Sequence, residues 1–184
     1  RATFEIAKDG TCLWRAAAHA AWGADSNQVA DLIRHVSLET LRQNSALFRD
    51  DSESVDEYIA KHSGYKEWGG FIDLIAISLA MSVKFSVYQY NRQTRTVHLE
   101  AVHHESLAEK EVPVHYLLWE NSHYDATYPL PPSTERNADR ANCAGKVLTN
   151  ANVEVVKKKL RELQTGTSGK QDRPFYSIMA SVSN

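Results

Sequence analysis

The hydrophobic period of this chain changes near residue 83, and over residues 1–132 that change restricts it to a fold with helices first and strands after. Before it, Leu13 to Trp22 runs without Gly or Pro and is rich in Ala, and Asn27 to Gln43 sets Val29, Leu32, Ile33, Val36 and Leu41 on a mostly apolar face. Ser54 to His62 opens with Ser54 and Glu57 at capping-box spacing, and Gly70 to Met81 is apolar on most sides, as a buried helix against a sheet would be. After it, Val83 to Tyr90, Thr96 to Val102, Val114 to Glu120 and His123 to Tyr128 are rich in β-branched and aromatic residues. The pattern predicts an α+β fold: a small, mostly antiparallel sheet flanked by helices. Asn91 to Arg95 has the composition of a hairpin turn, and His103 to Pro113 reads as a polar loop.

Pro129 to Pro132 ends the sheet region, and Ser133 to Gly145 is polar and irregular. A basic amphipathic helix is expected at about 152–163, followed by a linker-like stretch from Thr165 to Arg173. The expected organisation is therefore a core over 1–132 and a C-terminal extension over 133–184, packed on the core or appended to it. A chain of 184 residues with 42% hydrophobic and 24% charged residues suffices for one domain with a real core. With Lys+Arg 21 against Asp+Glu 23, the net charge of −2 gives no reason to expect a nucleic acid or a membrane surface as partner. No apolar run is long enough to span a bilayer, and the opening Arg1 suggests a piece of a longer protein. Cys12 and Cys143 alone make no disulfide framework, so a reducing compartment such as the cytoplasm is expected.

Chemistry concentrates at Lys8-Asp9-Gly10-Thr11-Cys12-Leu13-Trp14-Arg15-Ala16, where a turn gives way to a helix. A cysteine in a helix's first turn sits beside unpaired backbone N–H groups and the positive end of the macrodipole. That placement is expected to lower its pKa from ~8.5 toward neutrality. The Asp9-Gly10 turn offers amides to a developing oxyanion, and Asp9 either merely holds this turn or is a second acidic candidate. The matching base is His123. In an extended strand His123 and Asp125 point to the same side, so Asp125 can fix the imidazole tautomer. A thiol with an oriented histidine is the arrangement of a papain-like hydrolase.

Three stretches carry a family resemblance. Asp9-Gly10-Thr11-Cys12-Leu13-Trp14-Arg15-Ala16 resembles the cysteine motif of ovarian tumour (OTU) domain deubiquitinases, usually Asp-Gly-Asn-Cys-Leu-Phe-Arg-Ala. Glu67-Trp68-Gly69-Gly70-Phe71-Ile72-Asp73-Leu74 resembles their central Trp-Gly-Gly helix start, and His123-Tyr124-Asp125 their histidine motif. The three come in the family's order and span roughly residues 4 to 130. The resemblance implies Cys12 as nucleophile, His123 as general base and Asp125 as orienting acid. It also implies a narrow channel for a Gly-Gly terminus, with the turn at Gly10 and Thr11 and the walls at Trp68, Gly69 and Tyr124. The implied partner is ubiquitin or polyubiquitin, the implied reaction isopeptide hydrolysis, and no metal or organic cofactor is needed. Three positions depart from the pattern: Thr11 stands for Asn, Trp14 for Phe and Asp73 for Glu.

Simpler readings stand beside these. Trp68 reads equally well as a core aromatic, Cys143 as structural or exposed, and Lys157-Lys158-Lys159 as a solvated helix face. The pair His103-His104 lacks the cysteine or carboxylate company of a zinc site. For the whole chain the alternatives are a ubiquitin-binding module of the same fold that does not cut, or a thiol acyltransferase or peptidase for another substrate.

Overall fold

The computed structural model describes residues 2–24, 26–48, 54–64, 67–128 and 150–165. The expectations for 129–149, which include Cys143, and for the stretch after residue 165 lie outside the described residues. The elements are β1 (Ala2–Phe4), α1 (Cys12–Trp22), α2 (Asn27–Gln43), α3 (Val55–His62), α4 (Phe71–Met81), β2 (Lys84–Asn91), β3 (Thr96–Val102), β4 (Val114–Glu120), β5 (His123–Tyr128) and α5 (Asn150–Gln164).

Local chemistry accounts for the helix boundaries. The Ala-rich α1 stops at Gly23, whose φ of 69° is left-handed and cheap only for glycine. At the start of α2 the Ser26 hydroxyl accepts the Val29 N–H at 3.3 Å. At α3, Glu57 N–H donates to Ser54 Oγ at 3.2 Å and Ser54 N–H donates to Glu57 Oε2 at 3.0 Å, the reciprocal cap expected from the spacing.

The sheet has strand order β1-β5-β4-β2-β3. Its pairs are antiparallel except β2 with β4, which run parallel from Lys84 opposite Val114 to Gln89 opposite Trp119. The parallel pair arises in the connection 103–113, which carries the chain from the β3 edge back past β2. This connection is the loop expected, exposed over 108–111, but its first half packs inward. His104 and Leu107 are buried in it, and His104 N–H donates to Ser78 Oγ of α4 at 2.8 Å. A segment that packs inward needs apolar ballast and a partner for its backbone, which a solvated loop does not.

The core lies on one face of the sheet. Phe85, Val87 and Leu117 meet Leu13, Trp14 and Ala17 of α1, Ile33, Val36 and Leu41 of α2, and Leu74 and Ile77 of α4. α2 packs on both α1 and α4, and on its other flank it receives α5, whose Val156 is buried. The lysine run of α5 stays at the surface, with Lys157 paired to Glu154 at 3.1 Å and Lys159 to Glu162 at 3.7 Å.

Candidate active site

Cys12 is the first residue of α1, and Asp9 builds the turn that delivers it. Asp9 Oδ1 accepts the Thr11 N–H at 3.0 Å and the Thr11 hydroxyl at 2.6 Å, while Arg15 Nη1 stands 3.4 Å from Oδ2. This is an Asx turn, with Gly10 at φ 85° supplying the left-handed step. Thr11 is buried under the turn, and its hydroxyl does for Asp9 what a polar side chain there must. Because Thr11 N–H is already committed to Asp9, the amides of Gly10 and Cys12 are the ones left to face an incoming oxygen.

His123 and Asp125 lie on β5, two residues apart, and their side chains meet as the strand period requires. His123 Nε2–H donates to Asp125 Oδ1 at 3.0 Å, which leaves Nδ1 as the ring nitrogen able to take a proton. The same carboxylate oxygen accepts Ile6 N–H at 2.8 Å. The residue that fixes the imidazole is thus itself fixed by the chain just after β1. No sequence pattern marked β1 or Ile6, since a three-residue strand carries too little periodicity to read.

The thiol of Cys12 lies against the Tyr124 main chain and is 5% exposed. Backbone N–H groups of Tyr124, Leu13 and Cys12 itself lie near enough to favour its anion, which puts the thiol close to the residue that follows His123. Among the described residues no hydrogen bond joins Cys12 to His123. The lowered thiol pKa expected from the helix start is not what the site produces. Burial pushes the Cys12 thiol up from its ordinary value, the backbone donors pull it down by less, and the Asp9 charge adds to the rise. A helix end stabilises an anion only to the extent that burial does not penalise it.

The remaining candidates differ in burial, and Tyr124 belongs to the hydrophobic core. Tyr124 is buried, and that burial raises its phenol and keeps it protonated. Trp68 is 57% exposed, which removes the core reading of this residue. A Cβ on Gly69 would stand 2.6 Å from Trp14 Cζ2, so only glycine lets the segment rest on that indole, whereas a Cβ on Gly70 would meet nothing within 4 Å. Trp14 Nε1 donates to Glu67 O at 3.5 Å, a bond that phenylalanine could not make. Asp73 is fully buried at the start of α4, where it accepts Gly70 N–H at 2.8 Å. Among the described residues no cluster of His, Cys, Asp or Glu could hold a metal ion, and no helix is long and apolar enough to cross a membrane.

A buried thiol at a helix start beside a histidine–carboxylate pair on an adjoining strand defines a papain-like arrangement on an α+β fold. Residues 7–124 match the family described as OTU-like cysteine protease, and the chain belongs to that family. It is 30% identical over 128 residues to mouse OTU domain-containing protein 4, a match covering 68% of this chain and 11% of the relative. The chain therefore spans about a tenth of the length of that relative. The fold resembles the OTU domain of OTUD1, with TM-score 0.58 and 24% identity over 69% of this chain and 85% of the other. It also resembles the Hazara virus OTU domain solved bound to ubiquitin, with TM-score 0.59 and 18% identity over 71% and 82% of the two chains.

Proposed function

We propose that this domain is a deubiquitinase that hydrolyses the isopeptide bond after the ubiquitin Gly-Gly terminus. The observation that carries the reading is the Cys12 thiol seated on the Tyr124 main chain, directly beside the His123–Asp125 pair, in a chain of the OTU family. The ubiquitin-bound Hazara virus relative supports ubiquitin as the partner. The reducing cytoplasm is where such a thiol would act.

In this reading His123 Nδ1 takes the Sγ proton and the thiolate adds to the glycine carbonyl, with the oxyanion facing the Gly10 and Cys12 amides. The tetrahedral intermediate collapses, the imidazolium gives its proton to the departing lysine amine, and a thioester is left on Cys12. Water, deprotonated by His123, then adds to the thioester and releases the ubiquitin carboxylate and the free thiol. Because burial disfavours a resting thiolate, the proton leaves sulfur only as His123 and substrate close on it. Trp68, Gly69 and Tyr124 flank the channel, and the Asp9–Thr11 turn holds its floor.

The test is incubation with a ubiquitin probe bearing a C-terminal electrophile, followed by peptide mapping. A covalent adduct on Cys12, absent in Cys12→Ala, is expected. Reversible binding without an adduct would support the non-cutting ubiquitin module, and no binding at all would point to another substrate.

A further inference from the structure

Asp73 presents a chemical oddity. A helix start is readily capped by a solvated side chain, yet this carboxylate is 0% exposed, and burial pushes its pKa up. It is kept by three donors from three elements: Ser37 Oγ of α2 at 2.8 Å, the Tyr58 hydroxyl of α3, and Gly70 N–H at 2.8 Å. Tyr58 is in turn stacked on His62, with ring centroids 3.8 Å apart. A carboxylate with several neutral donors spends its burial cost on fixing positions rather than on net stability.

What it fixes is the segment Glu67–Gly70. One end is tied to Asp73 through Gly70 N–H. The other is tied to the nucleophile helix, since Glu67 O accepts Trp14 Nε1 at 3.5 Å and Gly69 rests on the Trp14 indole two residues after Cys12. Between these anchors stands Trp68, a large aromatic left in water on a backbone held at both ends. An exposed indole on a fixed backbone is a surface prepared for a ligand, because its ordering has been completed before binding. Gly70 beside it opens on empty space.

We propose that Asp73 is a positioning residue for substrate binding: its buried carboxylate, shared by Ser37, Tyr58 and Gly70, holds the Trp68–Gly70 wall at a fixed place relative to Cys12. The proposal rests on the reading of this site as a ubiquitin hydrolase. It assigns Asp73 no proton and no contact with the reacting atoms. Asp73 acts through the wall, so its loss weakens substrate binding and leaves the chemical step.

The experiment compares wild type, Asp73→Asn, Asp73→Glu and Tyr58→Phe on a fluorogenic C-terminal amide of ubiquitin, with thermal melts and amide hydrogen exchange on the same samples. Asp73→Asn is expected to raise KM about tenfold with kcat changed less than threefold, and to speed exchange at Gly70 about tenfold. Asp73→Glu, which keeps a carboxylate at the capping position, is expected to restore KM to within threefold of wild type. Tyr58→Phe removes one donor and keeps the fold, so it is expected to raise KM by two- to threefold and decides the matter if Asp73→Asn does not fold. An unchanged KM in folded Asp73→Asn, or in Tyr58→Phe when Asp73→Asn is unfolded, overturns the proposal, as does a fall in kcat with KM constant. A wild-type protein that does not cleave the amide overturns the hydrolase reading instead, whatever exchange at Gly70 shows.

Discussion

Ile6 and Asp125, 119 residues apart, meet through a 2.8 Å hydrogen bond from the Ile6 main-chain N–H to the oxygen that also accepts His123 Nε2–H. One carboxylate thus ties the start of the chain to its candidate base. Asp125→Ala therefore removes two things at once. It frees the imidazole, expected to cost ~10- to 10⁴-fold in turnover, and it strands the Ile6 donor, expected to cost about 1–3 kcal/mol of stability. Single-turnover hydrolysis with melts at each step measures both. Wild-type turnover in folded Asp125→Ala would leave a simple Cys12–His123 dyad. Asn121, two residues before His123, is an exposed turn residue at φ 50° with no hydrogen bond to His123 among the described residues, so Asn121→Ala is expected to add nothing to that loss.

Burial of Cys12 sets the expected pH dependence. In His123→Ala the thiol has no base, and its alkylation by iodoacetamide should rise with an inflection above the ordinary 9.0. Wild type without substrate should show the same high inflection, because the raised value already holds with His123 in place. The sign for stability follows from the raised folded value. The protonated thiol favours the folded state, that contribution is complete below the unfolded thiol pKa, and it is lost as pH rises through the folded one. Melts above pH ~9 should therefore fall faster for wild type than for Cys12→Ala. An inflection below 9.0 in His123→Ala would show the backbone donors outweighing burial.

Trp14 and Gly69 should behave as one unit. Gly69→Ala puts a methyl 2.6 Å from Trp14 Cζ2 and is expected to destabilise by about 1–3 kcal/mol through overpacking. Trp14→Phe shortens the ring and forfeits the bond to Glu67 O, yet it also makes room for that methyl. The double variant is therefore expected to be more stable than the sum of the two singles predicts, by about 1 kcal/mol. Strict additivity in chemical denaturation would show that the indole and the glycine do not compete for the same space.

The hairpin that presents His123 is strained. Asn121 and Ser122 occupy φ 50° and 60°, the pair of left-handed conformations that a tight two-residue turn requires. Asparagine tolerates this and serine does so at a cost of about 1 kcal/mol. Ser122→Gly should raise stability by roughly 0.5 kcal/mol after the entropy of the unfolded glycine is counted, with turnover unchanged. A lower melting temperature would mean that the Ser122 side chain contributes more than its backbone costs.

The helices and most strands were legible in the sequence because each is a local matter. The Ala-rich run of α1, the Ser54–Glu57 cap and the alternation of His123 with Asp125 act within a few residues of themselves. The residue types of the candidate site were legible too, because a thiol at a helix start and a histidine two residues from a carboxylate are sequence-adjacent patterns. What only the tertiary structure decided is what depends on residues far apart. The parallel pairing of β2 with β4 follows from the course of the connection 103–113, which skips past β2, rather than from either strand's composition. The anchoring of Asp125 by Ile6, the three-helix clamp on Asp73 and the indole under Gly69 each join elements that no local period relates. Helix geometry alone predicted an acidic Cys12, but the dielectric around its sulfur is made by everything that packs on it, and that environment reversed the sign of the shift.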